Sequence, residues 1–138
     1  MKQVFETIRL KVRKPGLHDF TDAAAKIVAQ SGITDGLLTC FIRHTSASLL
    51  IQENADPDVL RDLEDYFARI VPRDAPYRHD AEGPDDMPSH IKGALTATSL
   101  SIPVRGGKLA LGTWQALYLF EHRDAAHTRE VLLHLIGE

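Results

Sequence analysis

The sequence predicts an α+β fold: a compact, β-rich single domain with sandwich-like sheets and about three helices. The first observation is size and composition. The chain has 138 residues, of which 43% are hydrophobic and 25% charged, which suits one core and therefore one domain over residues 1–138. The second is a set of alternating or short apolar runs near both ends, and the third is a set of segments with helical spacing between them.

The strands are predicted from alternation and from short apolar runs. Near the amino terminus, Val4, Ile8, Leu10 and Val12 fall on even positions with polar residues between them, as in a half-buried strand. Two short runs around Gly-Gly are typical of a β-hairpin. The further strands are predicted at residues 36–43, 48–52, 100–104, 108–111, 114–120 and 130–136.

The helices are predicted from 3.6-residue periodicity and from their end signals. Gly32 suits the position after a first helix, and Asp56 followed by Pro57 suits the start of a second, because Asp accepts free backbone amides and Pro lacks the amide that would be left unpaired. The three helices are predicted at residues 19–31, 57–70 and from Met87 to about residue 98.

Composition argues against several functional classes. The formal net charge is -3 and no basic run is present, so we expect no nucleic-acid partner. The single cysteine, Cys40, lies in an apolar strand and is expected to be an inert core residue. Residues 1–13 lack the apolar core of a signal peptide, and no run is long enough to cross a membrane, so a cytoplasmic location without membrane association is expected.

Seven histidines are the most unusual feature of this sequence, because histidine both titrates near neutrality and binds metals. His44 ends a predicted strand and is followed by Thr45 and Ser46. Such a position suits an acid or base next to hydroxyls that bind phosphate or a carbonyl. The alternative is an ordinary turn capped by its hydroxyls.

A second group of candidates lies in and beside the long loop of residues 72–88. His79 and Glu82 are in this loop, and His90 begins the next helix. Long loops in compact domains are commonly functional, and a mixed His and carboxylate set suits zinc or another divalent metal. The spacing matches no standard zinc signature, however, and by itself favours solvated histidines with His90 as a helix cap.

Further candidates flank the second helix and follow the hairpin. Glu53 suits a cation, a proton transfer or an aminopyrimidine ring, with Asn54 beside it. Trp114, the only tryptophan, is expected to pack in a core or interface, and Gln115 suits an amide or pyrimidine edge. The charged turn from Glu121 to Arg129 could bind an anion, although such a run is more often a solvated face. The histidines of this turn and His134 are weaker candidates for a functional site.

Several separated motifs occur in a characteristic order from about residue 37 to the carboxyl terminus. The motifs are His44-Thr45-Ser46-Ala47-Ser48, Glu53-Asn54-Ala55-Asp56-Pro57-Asp58-Val59, Tyr77-Arg78-His79-Asp80-Ala81-Glu82-Gly83, Ser89-His90-Ile91-Lys92, Ser99-Leu100-Ser101-Ile102-Pro103-Val104 and Leu111-Gly112-Thr113-Trp114-Gln115, with Glu121-His122-Arg123 near the end. Together they resemble the YjbQ-like family, whose members are described as secondary thiamine-phosphate synthases. One departure is the turn at residues 122–127, where other branches of the family carry a Phe-Asp-Gly-Pro-Arg-like turn.

The resemblance implies a homotrimer with a cleft that joins hydroxymethylpyrimidine diphosphate to thiazole phosphate and releases pyrophosphate. The implied cleft gathers His44, Glu53, Asn54, His79, Glu82, His90, Trp114 and Gln115. We expect a phosphorylated small-molecule substrate, with either a divalent metal, zinc or magnesium, or protonated histidines to supply positive charge for the leaving pyrophosphate. The candidate catalytic residues are His44, His90 and Glu53; the candidate substrate-binding residues are Thr45, Ser46, Asn54, Glu82, Trp114 and Gln115; and the candidate metal ligands are His79, His90 and His44.

Two other functions stay open at the level of sequence. A His-bound metal that activates water would make the protein a hydrolase or lyase. A trimer that binds a ligand without turning it over is the second alternative. No phosphate-binding loop or cluster of basic residues marks a dedicated diphosphate enzyme, which favours a promiscuous activity over an optimised one.

Overall fold

The computed structural model describes all 138 residues and contains three helices and eight strands. The elements are β1 (Lys2–Val12), β2 (Gly16–Asp19), α1 (Thr21–Ser31), β3 (Gly36–Ile42), β4 (Ala47–Glu53), α2 (Pro57–Ile70), α3 (Asp86–Leu95), β5 (Ser99–Arg105), β6 (Lys108–Leu109), β7 (Gln115–Glu121) and β8 (His127–Gly137). The predicted α+β class with about three helices is therefore confirmed.

The strands form two antiparallel sheets. The larger has the order β1-β8-β3-β5-β6, and the smaller has the order β2-β7-β4. Inward side chains alternate with outward ones along β8, where Val131, Leu133 and Leu135 are buried, and alternation of this kind leaves one face for the core. Eighteen buried residues form one hydrophobic cluster that takes members from both sheets and from α1.

Cys40 belongs to this core, as the sequence predicts. It is completely buried in β3, and burial raises the pKa of its thiol to about 12. The β5–β6 hairpin is also confirmed, and its turn residues Gly106 and Gly107 have φ angles of 59° and 74°. Both angles are positive, which glycine adopts without a Cβ clash.

Several element boundaries differ from the sequence-based prediction, and the differences at α1 and α3 affect the helices. Residues 16–19 form the strand β2, which pairs with β7, so α1 begins at Thr21. The four residues of β2 show no alternation that would separate them from a helix start. Helix α3 begins at Asp86 and ends at Leu95, earlier at both ends than predicted, because Thr96 takes an extended conformation (φ -113°, ψ -154°). No helix is both long and apolar enough to cross a membrane.

The predicted start of α2 is confirmed in detail. The Asp56 carboxylate accepts a hydrogen bond of 2.9 Å from the Asp58 amide, and Pro57 occupies the first turn. We expect Asp56→Ala to lower the free energy of unfolding by about 1 kcal/mol, because a free amide loses its acceptor. Urea denaturation checks this, with Asp62→Ala on the exposed surface of the same helix as control. Equal losses in the two variants would contradict the capping role.

Candidate functional site

Three potential metal ligands meet between α3 and the loop that precedes it. One ligand atom each from His79, Asp86 and His90 lies within 4.8 Å of the other two. The Asp86 Oδ2 atom is 2.6 Å from His79 Nε2 and 3.3 Å from His90 Nε2. Asp86 and His90 are four residues apart on α3 and therefore share one face of the helix, while the loop delivers His79 to that face.

Arg123 hydrogen-bonds Asp86 of the cluster on the side away from the two histidines. Its guanidinium donates hydrogen bonds to Asp86 Oδ1 at 2.7 Å, to Asp85 Oδ2 at 2.9 Å and to the Glu82 carbonyl at 3.0 Å. The first of these engages one oxygen of Asp86 and leaves Oδ2 to face the histidines. Arg123 thus fixes the carboxylate in the way that outer hydrogen bonds orient metal ligands.

The cluster keeps its central carboxylate ionised. Burial acts to raise the pKa of Asp86, but the hydrogen bond from His79 and the charge of Arg123 outweigh burial, and the pKa lies below its usual value. The hydrogen bond to Asp86 raises the pKa of His79. Glu82 Oε2 lies 3.2 Å from His79 Nε2 and adds a second carboxylate at the edge of the group.

The donor set fits a divalent transition metal. Two imidazoles and a carboxylate are ligands that zinc accepts, and three protein ligands leave a position for water or substrate. His79 is exposed and His90 is half-buried, so small molecules reach the cluster from solvent. Of the predicted metal ligands, His79 and His90 therefore come together.

His44 lies apart from this cluster within a single chain. It follows β3, and its Nε2 accepts a 2.9 Å hydrogen bond from the Glu130 amide, so the ring proton is on Nδ1 in the neutral imidazole. Burial and then the charge of Arg129 lower the pKa of His44. His44, Thr45, Ser46 and Arg129 line one open cleft, in which Ser46 Oγ accepts a 2.9 Å hydrogen bond from Arg129.

A third group of predicted residues meets where β4 and β7 pair. Glu53 is the register partner of Gln115, and the Asn54 amide donates to the Trp114 carbonyl at 3.1 Å. Trp114 is 62% exposed, so core packing of this side chain within the chain is ruled out and its ring is free to meet a ligand or another subunit. The residues that the resemblance places in one cleft thus form three separate groups within one chain.

The ends of the charged run from Glu121 to Arg129 are buried, which corrects the expectation of a solvated face there, whereas residues 124–126 between them are exposed. Glu121, His122 and Arg129 are each at most 3% exposed. Arg129 donates to both oxygens of Glu121, each at 2.6 Å, and this bidentate pairing makes their burial tolerable. Along β8, Arg129 shares the inward face with Val131, Leu133 and Leu135, whereas β7 is buried on both faces from Ala116 to Glu121.

His122 has a hydrogen-bond partner on one ring nitrogen only. Its Nε2 is 2.9 Å from Ser48 Oγ, and Ser48 is in turn 2.5 Å from Thr96 Oγ1. Its Nδ1 is the one buried side-chain nitrogen or oxygen in the chain without a hydrogen-bond partner. Burial, followed by the charges of Lys92 and Arg129, lowers the pKa of His122 to about 3.

Acid should therefore destabilise the protein through His122. The native imidazole stays neutral down to a pKa of about 3, whereas the unfolded one takes up a proton below its ordinary pKa of about 6.5. Between these two pKa values the unfolded state binds more protons than the native state. The free energy of unfolding therefore decreases as the pH is lowered, by about 2 kcal/mol between pH 7.5 and pH 5. Urea unfolding of wild type and His122→Gln at both pH values checks this. The same pH dependence in both proteins would contradict it.

Sequence reasoning missed two residues of the cluster, Asp86 and Arg123. Asp86 stands four residues before His90, a spacing that marks one helix face, but the predicted helix started at Met87 and left Asp86 in the loop. Arg123 joins the site from the far side of the chain. No local pattern identifies such a long-range contact.

Comparison of the sequence with known proteins returns one family. The family model described as "UPF0047 protein YjbQ-like" matches residues 6–138. A UPF0047 protein of Synechocystis is 52% identical over 138 residues, with 99% of this chain and 94% of that protein covered. The UPF0047 protein YjbQ of Salmonella typhimurium is 46% identical over 133 residues, with 96% of each chain covered.

Solved structures give the same relationship. A YjbQ-like protein of unknown function from Sulfolobus solfataricus superimposes with a TM-score of 0.91 at 26% identity and covers 99% of both chains. An uncharacterized protein of this family from Clostridium acetobutylicum gives a TM-score of 0.88 at 37% identity, covering 95% of this chain and 99% of its own. Sequence and fold similarity therefore both extend over nearly the whole chain.

Proposed function

The chain belongs to the YjbQ-like (UPF0047) family, and on this premise we propose that it is a divalent-metal-dependent enzyme acting on phosphorylated small molecules. The reaction we propose is thiamine-phosphate synthesis as a secondary activity. The observation that carries the proposal is the convergence of His79, Asp86 and His90, because a bound cation supplies the charge that a leaving pyrophosphate needs.

The proposed reaction forms one bond and breaks one. The thiazole nitrogen donates its electron pair to the methylene carbon of the pyrimidine, and the bond from that carbon to the diphosphate oxygen breaks. Pyrophosphate leaves with the electron pair of that bond, and the thiazole becomes a thiazolium. The protein must hold both rings in line and stabilise the departing anion.

Each group of residues has a role in this proposal. His79, Asp86 and His90 would hold the cation, and Arg123 keeps Asp86 oriented through its 2.7 Å hydrogen bond. We assign Glu53, Asn54 and Gln115 to the pyrimidine, Trp114 to ring stacking, and His44 with Thr45 and Ser46 to phosphate or proton contacts. Glu82 is a further group at the edge of the substrate.

Assembly is part of the proposal, because these groups lie apart within one chain. A homotrimer in the cytoplasm would let groups from neighbouring subunits meet at shared clefts. Large exposed apolar side chains support assembly: Phe5, Leu95 and Trp114 are 62%, 57% and 62% exposed, and such surfaces are often buried between subunits.

A metal-dependent hydrolase or lyase is the second candidate. The position of Glu82, whose Oε2 lies 3.2 Å from His79 Nε2, favours it, because a carboxylate beside a metal can take a proton from the attacking water. In that case Glu82 would be the general base, and no pyrimidine-binding residues would be needed.

One assay separates the candidates. Metal-free protein receives Zn²⁺ or Mg²⁺ and both thiamine precursors, and release of pyrophosphate and formation of thiamine phosphate are followed by chromatography. We expect metal-dependent product formation that His90→Ala removes and that His134→Ala, a histidine outside the cluster, retains. Pyrophosphate or phosphate release without a joined product supports the hydrolase. No turnover of any kind, despite bound metal, supports a non-catalytic ligand-binding protein and contradicts the proposal.

A further inference from the structure

A second cleft lies between α2, α3 and the end of β7, and we call it the α2–α3 pocket. Its volume is about 350 Å³, within the usual range for small-molecule sites. Ala68, Val71 and Phe120 supply apolar wall, and Arg73, Lys92 and His122 supply nitrogen atoms. None of the three residues of the metal cluster lines it.

His122 brings an unsatisfied polar atom to this pocket. The residue is 3% exposed, and Nδ1 has no hydrogen-bond partner, whereas Nε2 is held by Ser48 at 2.9 Å. Leaving a buried polar atom without a hydrogen-bond partner destabilises the folded protein. A ligand atom that pairs with Nδ1 would remove this destabilisation.

Lys92 brings a charge without a counter-ion. No carboxylate forms a salt bridge with it, although it is half-buried on α3. The neighbouring charges are already paired, since Arg73 binds Asp124 at 2.7 Å and Arg129 neutralises Glu121.

Glu64 is the other carboxylate of the lining, and it is engaged on the β2 side of the pocket. Its Oε1 accepts a 3.0 Å hydrogen bond from the Leu17 amide, and no lysine or arginine forms a salt bridge with it. Ser89, on the same helix as Lys92, donates a 2.9 Å hydrogen bond to the His122 carbonyl, so α3 packs against His122. Lys92 and His122 both line the pocket beside this contact.

We propose that the α2–α3 pocket binds a phosphomonoester with a flat apolar body. The phosphate would lie between the ammonium of Lys92 and Nδ1 of His122, and the body would pack against Phe120 and Val71. A singly protonated phosphate offers both an acceptor and a donor, so it suits Nδ1 in either neutral tautomer. The remaining volume is larger than inorganic phosphate requires, and Ala68, Val71 and Phe120 give it one apolar wall.

This pocket is distinct from the metal cluster. Lys92 and His90 are two residues apart on α3, so their side chains leave the helix in different directions. Arg73 lines both this pocket and the neighbouring cleft that contains His79. Thiazole phosphate belongs to the proposed ligand class, and only that identification rests on the function proposed above.

The test uses metal-free full-length protein titrated with phenyl phosphate and with inorganic phosphate by calorimetry. We expect phenyl phosphate to bind more tightly than inorganic phosphate and Lys92→Gln to weaken phenyl phosphate by about tenfold, the size of one charged hydrogen bond. Two control variants should bind phenyl phosphate with wild-type affinity. One is Lys108→Gln, which removes an exposed lysine of another element, and the other is His90→Ala. Because a substitution of His122 would also change its contact with Ser48, the ring nitrogens of the wild-type residue are followed by ¹⁵N NMR and should shift on binding.

Three results would overturn the inference. They are an absence of binding, wild-type affinity in Lys92→Gln, and unchanged ring resonances of His122 at saturation. Binding that His90→Ala abolishes, or that appears only after Zn²⁺ is added, would also overturn it, because the phosphate would then lie on the metal cluster. A thiamine-phosphate synthase assay that fails while phenyl phosphate still binds would reject the proposed reaction and leave this site intact.

Discussion

His90→Ala should lower the affinity for Zn²⁺ by more than the roughly 10–100-fold that loss of an outer partner costs a metal site. His90 Nε2 lies 3.3 Å from Asp86 Oδ2, so its removal leaves one histidine and one carboxylate. Two protein ligands are fewer than the three that hold zinc in catalytic sites. Competition against a coloured zinc chelator measures the change in affinity directly.

The control for this experiment is His134→Ala. His134 stacks on Phe5 and bonds to Gln3, so its loss removes an imidazole from the chain without touching the cluster. Wild-type zinc affinity is expected there. Equal affinities in wild type and His90→Ala would show that zinc binds elsewhere and would remove the basis of the proposed function.

Arg129→Met should lower the free energy of unfolding by about 3–5 kcal/mol, the usual loss when one partner of a buried ion pair is removed. Glu121 is 1% exposed and takes both of its charged hydrogen bonds from Arg129. Without that guanidinium the carboxylate is buried and uncompensated. Urea denaturation at pH 7.5 measures the loss.

A matched exposed pair provides the control. Arg9 and Glu130 approach to 3.3 Å with side chains that are 65% and 36% exposed, and exposed pairs contribute about 0–1 kcal/mol. Arg9→Met should therefore change stability little. A similar small loss in both variants would contradict the view that the Glu121–Arg129 pair is essential to folding. A double variant, Glu121→Gln with Arg129→Met, that is more stable than Arg129→Met alone would support that view.

Much of the fold follows from local sequence patterns. Alternation identifies β1, and Asp56 with Pro57 identifies the start of α2, because both signals depend only on neighbouring residues. Strand β2 is missed because its four residues pair with β7, a contact far along the chain. The early start of α3 is missed because its first turn is held by the distant Arg123.

The candidate site is predicted only in part, for the same reason. His79 and His90 are found from residue type and loop context, but the carboxylate that joins them, Asp86, lies just outside the predicted helix. His122 is expected on a solvated turn and instead is buried, since the charge of Glu121 is neutralised by Arg129 across the β7–β8 connection. Long-range pairing of charges has no signature in the local sequence.

The central claim is that His79, Asp86 and His90 hold a divalent cation. A crystal grown with Zn²⁺ and measured at the zinc absorption edge tests this claim most directly. We predict an anomalous peak about 2.0–2.2 Å from the nearest nitrogen of both histidines and from Asp86 Oδ2. A map with zinc only at other positions, and with the hydrogen bond between His79 and Asp86 intact, would contradict the account.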